Sequence, residues 1–469
     1  MAVSVPADVI DEALSVISSR RYQIDRYRQY VMGNQRLAFS TDKFWNAFGS
    51  MFRAFAVNYC KVVVDIMCDH LLINGMTSRA RGAGIEGDDI IDQIWHANDM
   101  SVRYRTLHEE ALVSGEAFAI VWPDEHGFPV IYPNPAALFY VEPSAERPWE
   151  ISWAIKVWQE GKTWRMNLYL EDHIERYYTE GNEISSKKLM PYREYIIENP
   201  YGVVPVFRFV NRPTVSWSGQ SEIDDIIPLQ DSLNKTWMDL LVAMEFQALP
   251  QRWITGIEVD IDPDTGRIRP PFTPGADRVW AVPFENARLG QFEAADLSPF
   301  ITVATGIIQH IAAETQIPVH YLIPPTAVWP SGESLWATIQ GFRRKIEGKQ
   351  ASFGATWEAL MRFALRILGR DDLSQYVTCV WGDPTPVREM ERASAGILKR
   401  RLGVPLQQIL AELGYDDDTI AIALAEASAR EAAEKNGDGQ SDSPLANDDV
   451  YRSVIDQNIP PELSELREG

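Results

Sequence analysis

SEIDDIIPLQDSLNKTWMDLLVAMEFQALPQRWITG, residues 221–256, decides how the rest of the chain is read. Ser221 followed three places later by Asp224 is a capping-box pattern, a hydroxyl and a carboxylate set to take a helix's first free backbone N–H groups. Pro228 cannot donate the next hydrogen bond, so it either kinks this helix or restarts it as a first-turn residue. Beyond it Leu229, Leu233, Trp237, Leu240, Met244 and Ala248 recur at intervals of four, four, three, four and four. That is one apolar helix face carried for about 30 Å at roughly 1.5 Å per residue. Asp231, Lys235 and Asp239 step along the same helix at four-residue intervals, where charge pairs are worth roughly 0.2–0.5 kcal/mol each. Pro250 ends it, and RWITGIEV from Arg252 has strand character. Taken alone, the stretch is an ordinary core helix; its flanks give it a different setting.

Downstream, residues 257–292 are rich in Pro and Gly with short β-like runs, and Pro263-Asp264-Thr265-Gly266 suits a hairpin. Asp260, Asp262 and Asp264 resemble the start of a calcium loop, but Gly266 lies one place too late and no Glu closes the set at position twelve. Ser298-Pro299 then supplies an N-cap and first-turn pair, and Phe300, Val303, Ile307, Ile311 and Thr315 form a second helical stripe ended by Pro318. Two comparable helices therefore enclose a small β insertion, a protruding antenna more than a core. VHYLIPPTAVWP, Val319–Pro330, is predicted to be an extended, stiff loop. Ser331 is expected to cap the longest helix, running to Leu368 with Gly369 behind it. Leu335, Ile339, Phe342, Ile346, Phe353, Trp357, Leu360 and Ile367 hold close to a heptad register over about 50 Å. Gly341, Gly348 and Gly354, each costing roughly 1 kcal/mol against Ala, favour a bent helix packed on a sheet over a lone coiled coil.

Upstream, Pro6 to Val31 has helical period with Ile10, Leu14, Ile17, Ile24 and Tyr27 near one face, followed by a polar break. Asn58 to Gly75 is expected to be a helix with Val62, Val63, Ile66, Met67 and Leu71 inward and Gly75 as C-cap. A loop follows at RARGAGIEGDD, then two shorter helices near Ile90–Ala97 and Val102–Val113. From Glu116 the period becomes that of strands: FAIVW, PVIY, LFYVE, ISWAIKVW, WRMNLYL and HIERYYT, separated by turns, predict an antiparallel sheet, and Asn199–Pro213 adds one more strand. At the other end, Val387–Lys435 has the pattern of two or three short Ala- and Leu-rich helices, and the acidic segment from Asn436 that of a largely disordered tail. The fold class is α+β.

The 469 residues carry a formal charge of −22, which argues against holding nucleic acid by neutralising phosphates but suits a surface it must slide past. Fifteen Trp and seventeen Tyr offer more contact surface than monomers usually need. Cys60, Cys68 and Cys379 are too scattered for a disulfide framework, and neither a signal segment nor a membrane span is apparent, so a soluble intracellular product is expected. No phosphate loop, G-x-S-x-G, H-E-x-x-H or C-x-x-C occurs. His108-Glu109-Glu110 is expected to be a solvated helix face and not a zinc site. Arg343, Arg344, Lys345 and Lys349 form the densest basic run, with a solvated face or an acidic neighbour expected in preference to DNA. The chemistry favours a structural or assembly protein that is not an enzyme and needs no cofactor or metal.

NYCKVVVDIMCDHLLINGM, VSGEAFAIVW, NPYGVVPVFRFVNRP, the opening stretch, TQIPVHYL and PSGESLWATIQGFRRKIEGKQASFGATWEALMRFAL occur in an order that resembles the SPP1-like portal proteins of tailed double-stranded DNA bacteriophages, of the actinobacteriophage type. That resemblance spans about residues 10–435. It implies a homo-oligomeric ring, usually dodecameric, at one capsid vertex of the virion, assembled in the host cytoplasm. Double-stranded DNA would be packaged and ejected through it without sequence reading. Its partners would be the large terminase, the head–tail adaptor, the major capsid protein and the scaffolding protein, with no membrane involved. It further implies a wing at 1–219 and 332–387, a stem at 220–249 and 296–317, a clip at 250–295, a tunnel loop at 318–331, a crown at 388–435 and a tail at 436–469. Asp231, Lys235, Asp239 and Gln309 become stem channel candidates, and His320, Tyr321, Pro324, Pro325 and Trp329 tunnel-loop candidates. Arg252, Trp253, Asp260, Asp262, Asp264, Arg267 and Arg269 become clip contacts. The competing readings are another packaging component, a terminase or nuclease, and a capsid or scaffolding protein.

Overall fold

The computed structural model describes residues 5–38, 41–78, 84–181, 184–248, 252–256, 288–291, 296–323, 332–374, 376–384, 396–400, 402–413, 420–425 and 427–428. The chain divides into two units, Met1–Thr385 and Pro386–Gly469. Six elements open the first: α1 (Ala7–Val31), α2 (Asp42–Phe55), α3 (Tyr59–Asp69), β1 (Ile73–Ser78), α4 (Gly84–Ala97) and α5 (Met100–Ser114). Strands β2 (Glu116–Pro123), β3 (Pro129–Pro135) and β9 (Val206–Val210) form a three-stranded antiparallel sheet in the order β3-β2-β9. A five-stranded meander holds β4 (Phe139–Pro143), β5 (Ile151–Glu160), β6 (Thr163–Tyr169), β7 (His173–Glu180) and β8 (Met190–Glu198). The remaining helices are α6 (Ile227–Ala248), α7 (Ser298–Thr315), α8 (Val319–Leu322), α9 (Gly332–Ile367) and α10 (Asp371–Ser374). Between α6 and α7 lie the paired strands β10 (Arg252–Thr255) and β11 (Arg288–Gln291); β12 (Val377–Trp381) pairs antiparallel with β1.

Strand period places the cores. On β5 and β6, Ile155, Val157, Met166 and Leu168 face one way and meet Ile10, Leu14 and Ile17 of α1. The opposite face, with Phe139, Ala154, Tyr169 and Ile174, meets Phe118 and Ile120 of the three-stranded sheet. The largest core surrounds α9, whose Phe342, Ile346, Phe353, Trp357 and Leu360 are buried as the heptad pattern predicts. The α9 helix runs through Gly341, Gly348 and Gly354; Gly354 brings Trp381 within 3.1 Å of where a Cβ would stand. In the second unit, α11 (Leu406–Leu413) and helical residues 396–400 and 420–425 match the expected short helices.

Several expectations are corrected. The polar break after α1 contains α2, where Gly49 sits against the Trp45 ring. The helix expected to reach Gly75 stops at Asp69, His70 closing it through its ring nitrogen on the Ile66 carbonyl at 2.7 Å, and Gly75 lies in β1 opposite Val380. Val62 is exposed and Val64 is buried in its place. The expected loop before Ile90 is already helical from Gly84. One expected sheet is two, and β8 was not foreseen. His108 is 1% exposed instead of solvated: the Trp357 indole donates to its Nε2 at 3.0 Å, and burial drives its pKa down to about 3. Residues 319–322, expected to be extended, form the helical turn α8, because Pro318 starts a turn that the Tyr321 N–H closes on its carbonyl.

Candidate functional site

Pro228 sits in the first turn of α6, so the proline restarts the helix after a short turn at Asp224–Ile226. Ser221 forms no capping box. Its hydroxyl donates to the Val113 carbonyl at 2.6 Å, while the Glu222 N–H donates to the Leu112 carbonyl at 2.8 Å. These bonds stitch the segment along the end of α5, where Gly115 (φ +86°) and Gly219 pass so closely that a Cβ on Gly219 would lie 2.0 Å from the Gly115 oxygen. Glu222 is thereby buried at the foot of α6. Two lysines one turn apart on α9 reach it: Lys349 at 2.5 Å and Lys345 in a close ion pair. Lys345 also donates to the Thr315 carbonyl in the last turn of α7, at 2.8 Å. Lys349 donates to Asn211 as well. One carboxylate thus ties the start of α6, the end of α7 and the middle of α9. Burial alone would raise the Glu222 carboxyl, but Lys349 and Lys345 outweigh it and hold it at about 2. Burial lowers the Lys349 ammonium, with Glu222 opposing.

Further polar fastenings run up α6. The α3 helix begins with free N–H groups. Gln230, wholly buried, accepts from the Tyr59 N–H at 2.7 Å and the Cys60 N–H at 3.3 Å, and it donates to the Val57 carbonyl. Asn234 accepts from the Val57 N–H at 3.1 Å. Tyr30 of α1 donates to Asp231 at 2.9 Å and Tyr27 to Asp224 at 3.0 Å. Leu233 and Leu240 are buried as the stripe predicts, but Met244 is 50% exposed, and Met238 instead packs with Leu37 and Phe52.

The α7 helix returns antiparallel to α6, because β10 and β11 join the end of one to the start of the other. Its buried face is Ala304, Ile308, Ile311, Ala312 and Thr315: Ile311 and Thr315 are inward as expected, while nearer the start of the helix Ala304 and Ile308 are buried in place of Val303 and Ile307. Ile301 and Val303 are left 55% and 53% exposed. Ser298 is the first helical residue and not the cap; its N–H is taken by the Asp296 side chain at 2.9 Å. The described residues hold no group of three or more His, Cys, Asp or Glu able to bind a metal ion, and none of their helices is long and apolar enough to cross a membrane.

The family profile described as phage portal protein, SPP1 Gp6-like, matches residues 20–437. The chain belongs to that portal family. The portal proteins of Mycobacterium phages L5 and D29 are each 26% identical to this portal over 384 residues, 76% of this chain and 76% of theirs. Among solved structures, the neck of an empty gene transfer agent particle, computed with C6 symmetry, is 14% identical with a TM-score of 0.49, covering 81% of this chain and 96% of that one. The virion of a native gene transfer agent particle is 13% identical with a TM-score of 0.48, covering 83% and 99%.

Of the stem candidates in this portal, Asp231 turns inward onto Tyr30 and does not pair with Lys235. Its pKa is raised by burial, against the pull of that hydrogen bond. Lys235 and Asp239 form the expected pair, half-buried, and Gln309 is exposed on α7. In the insertion, Trp253 lies against Gly290 of the paired strand, where a Cβ would come within 2.3 Å of the ring; Arg252 is the strand residue opposite Gln291. Asp260, Asp262, Asp264, Arg267 and Arg269 lie outside the described residues, as do Pro324, Pro325, Trp329, Ser331 and the tail from Asn436. His320 is half-buried and its pKa lowered by burial, while Tyr321 stands 5.8 Å from the His70 ring and 6.0 Å from Phe342. Of the basic run, Arg343 pairs with Glu347 at 2.8 Å and both lysines are taken by Glu222, the acidic neighbour expected. Glu222, Gln230 and Asn234 were missed. The last two stand four apart on α6, and a periodic reading counts such residues as solvent-facing.

Proposed function

We propose that this portal closes into a homo-oligomeric ring, a dodecamer, at one capsid vertex and conducts double-stranded DNA during packaging and ejection. The supporting observation is the α6/α7 pair. Its foot is fixed by buried charge, while Ile301, Val303 and Met244 stay in solvent, an apolar surface that a second copy would cover. In this reading α6 and α7 are the stem, residues 250–295 the clip, 1–219 with 332–387 the wing, and 388–435 the crown. The ring is a platform for terminase and the head–tail adaptor and acts mechanically. A charge of −22 supports weak, sequence-blind contact with passing DNA.

The test is the double substitution Ile301→Asp with Val303→Asp. Rings are expected to be lost while the circular dichroism melt of the chain is retained; rings at parental yield would overturn the reading. We also assign 318–331 to a steric constriction in the channel. Replacing Pro324–Trp329 by a Gly-Ser segment should leave rings intact and impair DNA packaging or retention, and full packaging would remove that role.

A further inference from the structure

A cleft of about 430 Å³ opens between the two sheets, within the range of small-molecule pockets at roughly 300–1,000 Å³. Its floor is a row across three neighbouring strands: Lys156 of β5 stands opposite Asn167 of β6, and Asn167 opposite Arg176 of β7. Strands two apart place the two cations about 10 Å from each other at Cα, close enough for both side chains to meet on one ligand group. Trp122, Tyr132 and Asn134 of the three-stranded sheet form the facing wall. No carboxylate lines the cleft, although Asp and Glu outnumber Lys and Arg by 66 to 44 in the whole chain.

Neither cation has a carboxylate partner among the described residues. Lys156 only stands 5.1 Å over the Trp158 ring, and burial with no opposing acid lowers its pKa. A half-buried cation pair without an anion is costly, and an anionic ligand relieves that cost. Asn134 and Asn167 each give one amide N–H, to the Tyr132 carbonyl and the Tyr169 hydroxyl at 2.8 and 3.2 Å, and their oxygens accept from no side chain among the described residues. We propose that this cleft binds a small phosphate ester with a flat, amino-bearing ring, of mononucleotide type. Lys156 and Arg176 take the phosphate, Trp122 and Tyr132 stack on the ring, and the two Asn oxygens accept from its amino group.

The experiment is calorimetric titration and thermal shift of the full chain with deoxyadenosine monophosphate, deoxyadenosine and inorganic phosphate, at ionic strength matched with KCl. The nucleotide is expected to bind at least tenfold more tightly than either fragment and to raise Tm. Lys156→Gln with Arg176→Gln should abolish binding. Asn167→Asp, which places a carboxylate between the two cations, should abolish binding and raise the ligand-free Tm. The proposal is overturned by unchanged binding in either variant, by a lowered Tm in Asn167→Asp, or by no response to millimolar nucleotide. Inorganic phosphate binding as tightly as the nucleotide would overturn the ring's part in it.

Discussion

The two halves of α9 are held by opposite means. From Phe353 on, Trp357 packs edge-on against Trp95 and Phe209, with centroids 5.3 and 4.8 Å away, and its only polar debt is the bond to His108. Nearer its start, the same helix offers Lys345 and Lys349 to a single buried carboxylate. Aromatic packing is spread over many weak contacts, whereas a largely buried ion triad loses its balance when one partner is removed. The stack fixes α9 in the core; the triad sets how the helix pair leaves it.

The largest effect should separate the halves. Glu222→Ala strands the buried Lys349 and the partly buried Lys345 and is expected to cost about 3–5 kcal/mol in denaturant melts. Replacing Glu222, Lys345 and Lys349 together by Leu, Met and Met should recover most of that loss, and a triple variant no better than the single one would show that charge is not the cause. Gln230→Ala comes next: it leaves the Tyr59 and Cys60 N–H groups and the Val57 carbonyl unpaired, at about 1–3 kcal/mol. A loss below the error of the melts would mean that water replaces the side chain.

Acid sharpens the contrast further, because the two halves titrate in different windows. His108 is neutral in the fold with its pKa near 3 against 6.5 ordinarily, so the unfolded chain takes its proton first and stability falls as pH drops below 6.5. Glu222, lowered from 4.5 to about 2, contributes stability that is full above 4.5 and lost towards 2. His108→Gln should flatten the pH dependence of Tm from 6.5 down to about 3, so that its effect alone is seen above 4.5, and Glu222→Gln only below 4.5. Identical profiles in the two variants would contradict the assignment. The smallest effect belongs to Lys235→Ala, a partly exposed pair one turn apart, at no more than about 0.5 kcal/mol.

The same contrast separates what is legible in the sequence from what only the fold brings together. The α9 stripe and the strands from Glu116 were legible because apolar side chains repeat with the period of their element. His108, Gln230 and Glu222 were not, since a polar letter in a helix implies solvent unless its partner is known, and their partners lie 249, 171 and 127 residues away. The shift in the first half of the α7 face, where Ala304 and Ile308 replace Val303 and Ile307 while Ile311 and Thr315 stay inward, has a similar origin, since a small residue such as Ala304 weighs little in a periodic count. Aromatic abundance suggested contact between subunits; within one chain, Trp95, His108 and Phe209 gather around Trp357. Among the candidate site residues, the Lys235–Asp239 pair was foreseeable from spacing, while the inward turn of Asp231 onto Tyr30 was not.

Negative-stain imaging of the purified chain tests the central claim most directly. Rings with an axial hole and a single rotational symmetry are expected, present in the parent and absent after Ile301→Asp with Val303→Asp. Dispersed monomers at micromolar concentration, or shells and filaments in place of rings, would contradict it.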